Sequence, residues 1–363
     1  MTIKIAIIGD PFIPSKTFKL SLEKHLKLIK PKISIKFFCK DLNDKNLKPL
    51  KSKEISEAFG NQDDVIKITK NANILITTFA PITEYVLESC KNLLIVACGR
   101  GGPINVNINA STQKKIMVLY APGRNIDAVV EYTVANIINL VRKIPKAIDY
   151  VKKNKWKTPL EDTFVKPSGI EIHNKTIGVI GYGAIGKKLT RVLQALGCNV
   201  LIYEPYKKQL DKIGKKNNSS LENIFKNADI ITIHARINKN GKPLISIKDF
   251  NKMKKKPYII NTSRSQCVES KSLIKAYKMK KIKGFYLDVF DKEPISSNSE
   301  LYKIINDNIV LTPHAAGVSR DIPSKTAEII AKEIKKILQS QKPKFITNPK
   351  VFYKVKKNIK KLL

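Results

Sequence analysis

The stretch TIGVIGYGAIGKKLTRVLQALGCNVLIYEPY, residues 176–206, decides the fold. It opens with an apolar run that is typical of a short buried strand. Three glycines follow in the spacing Gly181-x-Gly183-x-x-Gly186, and apolar residues then recur at helical spacing. A second apolar run ends at Glu204. The pattern predicts a strand, a tight glycine turn, a helix and a second strand, the unit from which parallel sheets are built.

Each residue of this turn has a physical reason for its place. Gly181 permits the tight turn, Gly183 lets the backbone approach a pyrophosphate, and Gly186 lets the helix pack closely on the strand. The helix then begins at about Ala184 and Ile185, where free N–H groups and a partial positive charge face the phosphates. The motif alone is weak, but in this strand–turn–helix context it predicts a dinucleotide site formed by these five residues.

Glu204 indicates which dinucleotide binds. A carboxylate at the end of the second strand, roughly 20 residues beyond the glycines, can accept from both ribose hydroxyls of NAD and would repel a 2′-phosphate. Lys207 and Lys208 follow and would favour NADP, but lysine is abundant throughout the chain. Glu204 therefore carries more weight, and NAD is the predicted cofactor.

The same alternation of short apolar runs and helical stretches extends along the whole chain. The first series of predicted strands covers residues 4–9, 33–38, 73–78, 93–98 and 116–121, with amphipathic stretches such as 17–30 and 83–91 between them. The second series covers residues 175–181, 199–204, 228–234, 257–262, 283–289 and 308–312. This rhythm predicts an α/β fold with two Rossmann-like doubly wound parallel-sheet domains.

Helical patterns lie after each series. One runs from about residue 127 to 152, with Pro145 as the point where it bends or restarts. A final helix is predicted at roughly residues 321–339, followed by a lysine-rich tail.

Composition limits the class of protein. The chain has 363 residues and 42% apolar side chains, enough for two cores, and no apolar run approaches the length of a membrane span. Five cysteines form no Cys-x-x-Cys pair, and the first residues read as a strand rather than a signal peptide. We therefore expect a cytoplasmic protein with reduced thiols, no membrane association and no bound metal. Cys98 is a candidate nucleophile, but the sequence offers it no evident base.

The formal net charge is +38, which raises the question of a nucleic-acid partner. Only seven of the basic residues are arginine, and the lysines are spread evenly among many Asn and Ile residues, a set with A/T-rich codons. A dedicated DNA reader would use more arginine at base edges. We read the charge mainly as a solvated surface that can attract anionic substrates, and nucleic acid is not expected as a partner.

Three side chains suggest chemistry, each just beyond a predicted strand. Arg264 follows in NTSRS, Glu293 in LDVFDKEP and His314 in TPHAAG. Reduction of a 2-keto acid needs a cation to hold the carboxylate and polarise the carbonyl, an acid to protonate the new alkoxide, and a carboxylate to orient that acid. The ends of parallel strands meet at one edge of the sheet, so this set is a candidate hydride-transfer site beside the glycine turn.

These motifs together give the sequence a family resemblance. GRGGPINVN, APGRNIDAVVEYT, GVIGYGAIGKKL, NTSRS, LDVFDKEP and TPHAAG occur in an order that resembles the D-isomer-specific 2-hydroxyacid dehydrogenase family, including its phosphoglycerate dehydrogenase-like enzymes. The resemblance covers almost the whole chain. It implies that His314 is the general acid/base, that Glu293 pairs with it, and that Arg264 binds the substrate.

The resemblance and the remaining strand ends suggest further site residues. It implies that Asp288 contacts the nicotinamide amide, and that the backbone around Arg100, Gly101 and Gly102 offers N–H groups to the substrate carboxylate. The remaining strand ends of the second series supply further candidate cofactor residues, namely His234, Ala235, Thr262 and Ser263. In HAR, where many relatives read His-x-Pro, His234 and Arg236 are open to either a structural or an adenosine-binding interpretation.

The resemblance also implies a domain plan and a reaction. Residues 1–124 and 319–363 would form the substrate domain, with residues 125–318 inserted as the NAD-binding domain, and a homodimer is expected. The predicted function is hydride transfer between NAD(H) and a D-2-hydroxy acid/2-keto acid pair, with a phosphorylated or sugar-derived acid slightly favoured. The alternative is an NAD(H)-sensing binding protein of the corepressor type on the same fold.

Overall fold

The computed structural model describes residues 2–27, 33–43, 48–158, 169–206, 208, 210–235 and 241–363. The chain divides into two compact units. Unit 1 comprises Met1–Arg124 and Ser319–Leu363, and unit 2 comprises Asn125–Val318. Each unit is a parallel sheet with helices, so the predicted fold class, with one α/β domain inserted into the other, is confirmed.

Unit 1 is built on a parallel sheet of five strands. The strands are β1 (Thr2–Gly9), β2 (Ser34–Asp41), β3 (Ile74–Thr77), β4 (Ile95–Cys98) and β5 (Met117–Tyr120), in the order β2-β1-β3-β4-β5. Its helices, numbered along the whole chain, are α1 (Ser15–Leu26), α2 (Gln62–Thr69), α3 (Glu84–Ser89), α4 (Ile108–Gln113), α12 (Ile322–Leu338) and α13 (Phe352–Leu362). Alternate residues of β1 enter separate clusters of buried apolar side chains, Ile5 in one and Ala6 in the other. Both faces of the sheet are therefore covered, as parallel sheets require.

Unit 2 has six parallel strands. They are β6 (Thr176–Ile180), β7 (Asn199–Tyr203), β8 (Ile230–Ile233), β9 (Tyr258–Asn261), β10 (Gly284–Leu287) and β11 (Ile309–Leu311), in the order β7-β6-β8-β9-β10-β11. The helices are α5 (Ile126–Arg142), α6 (Ile144–Lys152), α7 (Ala184–Ala195), α8 (Lys212–Lys216), α9 (Leu221–Asn227), α10 (Ser270–Lys278) and α11 (Glu300–Lys303). Asn218 adds a single parallel bridge to Ile202 at the outer edge of β7, where the strand order of a dinucleotide fold places one more strand.

Every strand predicted from the sequence is present, usually one or two residues shorter than its apolar run. The long helical pattern is interrupted, but at Lys143 rather than at Pro145. Lys143 adopts a left-handed conformation with φ 58° and ends α5. Pro145 then lies in the first turn of α6, where its missing N–H group costs nothing.

The lysine-rich C-terminal segment, expected from the sequence to be a tail, is folded into unit 1. It forms α13, whose Phe352, Val355 and Ile359 are buried in the core of unit 1. The lysines between them hide this apolar spacing in the sequence. Within the described ranges, no helix combines the length and apolar character that crossing a bilayer would need.

Candidate active site

The strands of unit 2 end in a common row. Ile180, Ile233, Asn261, Leu287 and Leu311 are successive register partners across the sheet, and Tyr203 pairs with Ile180 at the other side. The residues that come immediately after this row include five predicted site residues, Glu204, Gly181, His234, Thr262 and Asp288. Neighbouring strands lie about 4.8 Å apart, so one edge of the sheet carries these predicted site residues side by side.

The turn between β6 and α7 requires glycine at positions 181 and 186. Gly181 has φ +96°, and a Cβ there would lie 2.7 Å from the backbone nitrogen of Ala235. A Cβ at Gly186 would lie 2.1 Å from the carbonyl oxygen of Gly181, whereas nothing lies within 4 Å of a Cβ at Gly183. The turn is therefore closed on its inner side and open at Gly183, where a phosphate would approach the first N–H groups of α7, those of Ala184 and Ile185.

Glu204 is tied to this turn by its carboxylate. One oxygen accepts from the backbone N–H of Tyr182 and the other from that of Tyr206, both at 2.9 Å, and the residue is 8% exposed. Each oxygen retains a further lone pair, so the carboxylate can still accept from ribose hydroxyls. Lys207 lies outside the described residues, and Lys208 is exposed.

His234 follows β8, and its imidazole contacts a side chain of that strand. Its Nε2 lies 2.8 Å from the Thr232 hydroxyl, and burial lowers its pKa to about 4, so the ring is neutral at physiological pH. Its Nδ1 is buried without a partner among the described residues, and Arg236 lies outside them. Both interpretations of His234 made from the sequence stay open.

Asn261 builds the turn that carries Arg264, and the sequence analysis missed it. Its side chain donates to the Arg264 carbonyl at 2.9 Å and accepts from both the N–H and the hydroxyl of Ser263. Thr262 beside it contacts the Thr133 hydroxyl at 3.1 Å. Arg264 is exposed, and its guanidinium donates to the Ser263 carbonyl. A buried Asn at a strand end, in a turn-forming sequence, was the signal available for this role.

His314 and Glu293 form the pair that the sequence analysis predicted. The His314 Nδ1 lies 2.7 Å from one Glu293 carboxylate oxygen, and the other oxygen accepts from the Phe290 N–H at 3.0 Å. The imidazole side chain is half exposed. The carboxylate thus fixes the orientation of the ring and leaves Nε2 to exchange a proton.

Asp288 holds the turn on which His314 sits. It is 1% exposed and accepts from the Thr312 hydroxyl at 2.5 Å and from the N–H groups of Ala315 and Ala316 at 2.8 and 2.9 Å. His314 itself has φ +53°, a left-handed conformation that such a turn must enforce. The predicted contact of Asp288 with the nicotinamide amide stays a prediction, whereas its bonds to the His314 turn are observed.

The predicted carboxylate-binding loop lies in unit 1. A Cβ added at Gly101 or Gly102 would meet nothing within 4 Å, so the backbone there is open. The Arg100 side chain, in contrast, pairs with Glu57 and lies 5.0 Å over the Phe79 ring. Cys98 is fully buried, and burial raises its pKa to about 11, which argues against the role of nucleophile.

Comparison with known proteins identifies the family. Residues 134–316 match the sequence profile of "D-isomer specific 2-hydroxyacid dehydrogenase, NAD binding domain", and this range contains the glycine turn, Arg264, Glu293 and His314. The chain belongs to the D-isomer-specific 2-hydroxyacid dehydrogenase family. The protein is therefore an oxidoreductase that acts on a CH–OH group, and its cofactor is NAD.

Curated relatives of this dehydrogenase carry several names. It is 32% identical over 273 residues to a glyoxylate reductase of Thermofilum pendens, a match that covers 74% of this chain and 79% of the relative. It is 33% identical over 283 residues to a D-3-phosphoglycerate dehydrogenase of Archaeoglobus fulgidus, covering 77% of this chain but only 52% of that protein. The chain thus spans about half the length of such phosphoglycerate dehydrogenases.

Solved structures share the fold of the dehydrogenase at low identity. D-2-hydroxyisocaproate dehydrogenase matches with a TM-score of 0.76 and 18% identity, covering 95% of this chain and all of that one. The NAD-complexed D-isomer specific 2-hydroxyacid dehydrogenase of Lactobacillus delbrueckii ssp. bulgaricus matches with a TM-score of 0.72 and 20% identity over the same shares. At this identity, the likeness shows the fold.

Proposed function

We propose that this dehydrogenase interconverts a D-2-hydroxy acid and its 2-keto acid with Arg264, Glu293 and His314 as its catalytic residues, and that the substrate is a phosphorylated or sugar-derived acid. One observation carries the assignment of roles: the 2.7 Å contact between His314 and Glu293, on the sheet edge that also carries the glycine turn. That pair has the geometry of an oriented general acid/base.

The proposed chemistry divides among three side chains. NAD, when bound, supplies or accepts the hydride. In reduction, His314 Nε2 donates a proton to the oxygen that becomes the new hydroxyl, and Glu293 stabilises the charged ring at Nδ1. The Arg264 guanidinium binds the carboxylate and polarises the neighbouring carbonyl, and in the oxidative direction the proton returns to His314.

The proposed binding groups complete this assignment. Glu204 would accept from the ribose hydroxyls and select NAD over NADP, since a 2′-phosphate would face a carboxylate. The backbone N–H groups of Arg100, Gly101 and Gly102 would donate to the substrate carboxylate. The open backbone at both glycines supports this role.

A homodimer is proposed through α6 of unit 2. Ile144, Ile148 and Val151 are 37%, 49% and 61% exposed, and Trp156, just after the helix, is 59% exposed. No residue of α6 is buried, so this apolar stripe is available for a second copy.

The described cysteines are free thiols, which supports a proposed cytoplasmic location.

The dimer has a direct test. Ile148→Asp places a charge in the stripe and is expected to convert a dimeric sedimentation coefficient to a monomeric one, because a charge in an apolar interface is costly. Lys152→Asp, at the end of the same helix, is the charge-changing control. A wild-type chain that sediments as a monomer at micromolar concentration, or an Ile148→Asp chain that stays dimeric, would contradict this interface.

The function is tested by initial rates of NADH and NADPH oxidation with a panel of 2-keto acids: glyoxylate, hydroxypyruvate, 3-phosphohydroxypyruvate and 2-keto-D-gluconate. We expect turnover with NADH and a preference for the phosphorylated or polyhydroxylated compound. Tight NADH binding without turnover on any of them would favour the corepressor-type sensor instead.

A further inference from the structure

A chain of hydrogen bonds lies behind the turn that carries His314 in unit 2. The Tyr286 hydroxyl is 2.5 Å from Thr312 Oγ1, and Thr312 Oγ1 is 2.5 Å from one carboxylate oxygen of Asp288. The Asp288 carboxylate in turn accepts from the backbone N–H groups of the two residues that follow His314. The chain therefore runs without a gap from β10 to the turn.

The direction of each hydrogen bond follows from the chemistry of its partners. The ionised Asp288 carboxylate can only accept, so the single Thr312 hydroxyl proton is donated to it. Thr312 can then only accept at its other contact, and Tyr286 is the donor there. Burial raises the pKa of Tyr286, so the phenol keeps its proton throughout the physiological pH range. Both hydroxyl groups thus point toward the Asp288 carboxylate.

Tyr286 is distinguished from a phenylalanine at this place only by its hydroxyl. The side chain is fully buried in an apolar cluster of unit 2, where the ring alone would pack equally well. A buried hydroxyl is costly unless it is hydrogen-bonded. The partners that meet this need are Thr312 and, on α5, Tyr132. The hydroxyl of Tyr286 therefore ties the strand-end turn to the interior of the unit.

The turn that receives this chain has a backbone conformation that needs support. His314 has φ +53°, and its N–H donates to the Thr312 carbonyl at 3.0 Å, which closes a three-residue turn around Pro313. A residue other than glycine seldom adopts such a φ unless the surrounding bonds enforce it. If the Thr312 hydroxyl rotates away, the turn loses one of its links to Asp288, and the His314 ring is less well placed beside Glu293.

We propose that Tyr286 is a positioning residue of the active site, whose hydroxyl holds Thr312 on Asp288 and thereby fixes the turn that presents His314. Tyr286 acts only through these two residues. The proposal rests on the proposed function in taking His314 as the general acid/base. It extends the support of His314 from the strand ends into the core of unit 2.

The first test is the kinetics of Tyr286→Phe, which removes the hydroxyl and keeps the ring. We expect kcat for NADH-dependent reduction of the best 2-keto acid to fall about fivefold through misplacement of His314, with NADH affinity near that of wild type. Tyr258→Phe is the matched control, because Tyr258 is a buried tyrosine of the same apolar cluster on the neighbouring strand β9. It should leave kcat unchanged.

A double-mutant cycle tests whether Tyr286 acts through Thr312. Residues of one hydrogen-bonded chain have effects that do not add. Tyr286→Phe combined with Thr312→Val should therefore lower kcat no further than Thr312→Val alone, about tenfold. A fall of about fiftyfold, the product of the two single effects, would overturn the proposal because it would mean that Tyr286 acts by another route.

The amide of Ala316 gives a measurement that needs no turnover. Its N–H donates to Asp288 at 2.9 Å, and Ala315–Ala316 is the only pair of adjacent alanines in the sequence. Protein labelled with alanine that carries ¹³C at the carbonyl and ¹⁵N therefore gives one carbonyl-edited amide signal, that of Ala316. Its hydrogen exchange should become at least about threefold faster in Tyr286→Phe and in Thr312→Val, and should stay unchanged in Tyr258→Phe.

The two kinds of measurement separate this proposal from the proposed function. A wild-type kcat in Tyr286→Phe, or unchanged exchange of the Ala316 amide, would overturn the positioning role. If the wild-type protein binds NADH but reduces no 2-keto acid, the proposed function fails, and the exchange of the Ala316 amide still decides whether Tyr286 holds the turn.

Discussion

Each carboxylate oxygen of Glu204 accepts a backbone N–H, and a ribose would be a second partner for the same group. The bond to Tyr182 fixes the glycine turn, and the remaining lone pairs are available to a ribose. The proposed role as a ribose ligand follows from the spacing of the sequence alone. The bonds to Tyr182 and Tyr206 could not, because they depend on how the strand end meets the turn.

The Glu204 carboxylate is predicted to set the preference for NADH over NADPH. Glu204→Ala should weaken NADH binding about tenfold or more and reduce the discrimination against NADPH, since it removes both the hydroxyl acceptor and the charge that repels a 2′-phosphate. Fluorescence titration with both cofactors measures this. Glu222→Ala, an exposed glutamate of α9, is the control. Unchanged affinities for both cofactors would remove Glu204 from the ribose site.

The Thr312 hydroxyl is predicted to position the turn that carries His314. Thr312 donates to Asp288 and contacts the Tyr286 hydroxyl, also at 2.5 Å. Thr312→Val keeps the shape but loses the donor, so kcat should fall about tenfold through misplacement of His314, while NADH affinity changes little. Thr312→Ser should recover most of kcat because it restores the hydroxyl. Equal kcat for Val, Ser and wild type would show that the hydroxyl does not position the turn.

The sequence analysis missed the residues whose side chains hold the site turns in place. Asn261 and Thr312 are ordinary polar residues in the sequence. The role of Asn261 depends on the turn after β9, where it bonds to Ser263 and Arg264. The role of Thr312 depends on the pairing of β11 with β10, which brings it to Asp288. Arg100 illustrates the converse case. Its motif predicts a substrate contact for the loop, but the pairing of its side chain with Glu57, far away in the sequence, is visible only in the fold.

Apolar runs in the sequence located each of the strands β1 to β11 that the structure describes, because buried parallel strands are apolar on both faces. Boundaries were less predictable. The left-handed Lys143, rather than Pro145, ends α5, since a proline is tolerated in the first turn of the next helix. Helix α13 was missed because its three buried residues are spaced among lysines, whose charges dominate the pattern.

Helices α1 and α12 of unit 1 carry a pH-dependent contact. His25 Nε2 lies 2.7 Å from a Glu328 carboxylate oxygen. This contact lowers the pKa of Glu328 to about 2, with Lys332 adding to the effect. Because the folded state depresses this pKa, the stabilisation is present above the ordinary value of 4.5 and is lost as pH falls toward 2.

The lowered pKa of Glu328 predicts how the stability of the folded protein depends on pH. Glu328→Gln should lower Tm at pH 5.5, and the gap from wild type should narrow as the pH is lowered from 5.5 to 3. Glu328 is partly exposed, so the effect is modest and should shrink in high salt. Differential scanning calorimetry across this range measures it, with Glu131→Gln on an exposed face of α5 as control. A gap that stays constant or widens toward pH 3 would contradict the assignment.

At the scale of the whole molecule, each unit places its polar groups of interest at the carboxyl ends of its own parallel strands. In unit 2 these are the glycine turn, Glu204, Arg264 and the His314 turn, and in unit 1 this is the open glycine loop. Fold class and family followed from motif order. The choice of substrate did not follow from motif order.

The central claim is that His314, oriented by Glu293, exchanges the proton that accompanies hydride transfer. The most direct measurement is kcat for NADH-dependent reduction of the best 2-keto acid, together with NADH affinity, in wild type and His314→Ala, with His173→Ala as a control at a histidine away from the strand-end row. We expect kcat to fall at least about 100-fold in His314→Ala, the ordinary contribution of a general acid, while NADH affinity stays nearly intact. Near-normal turnover by His314→Ala would contradict it.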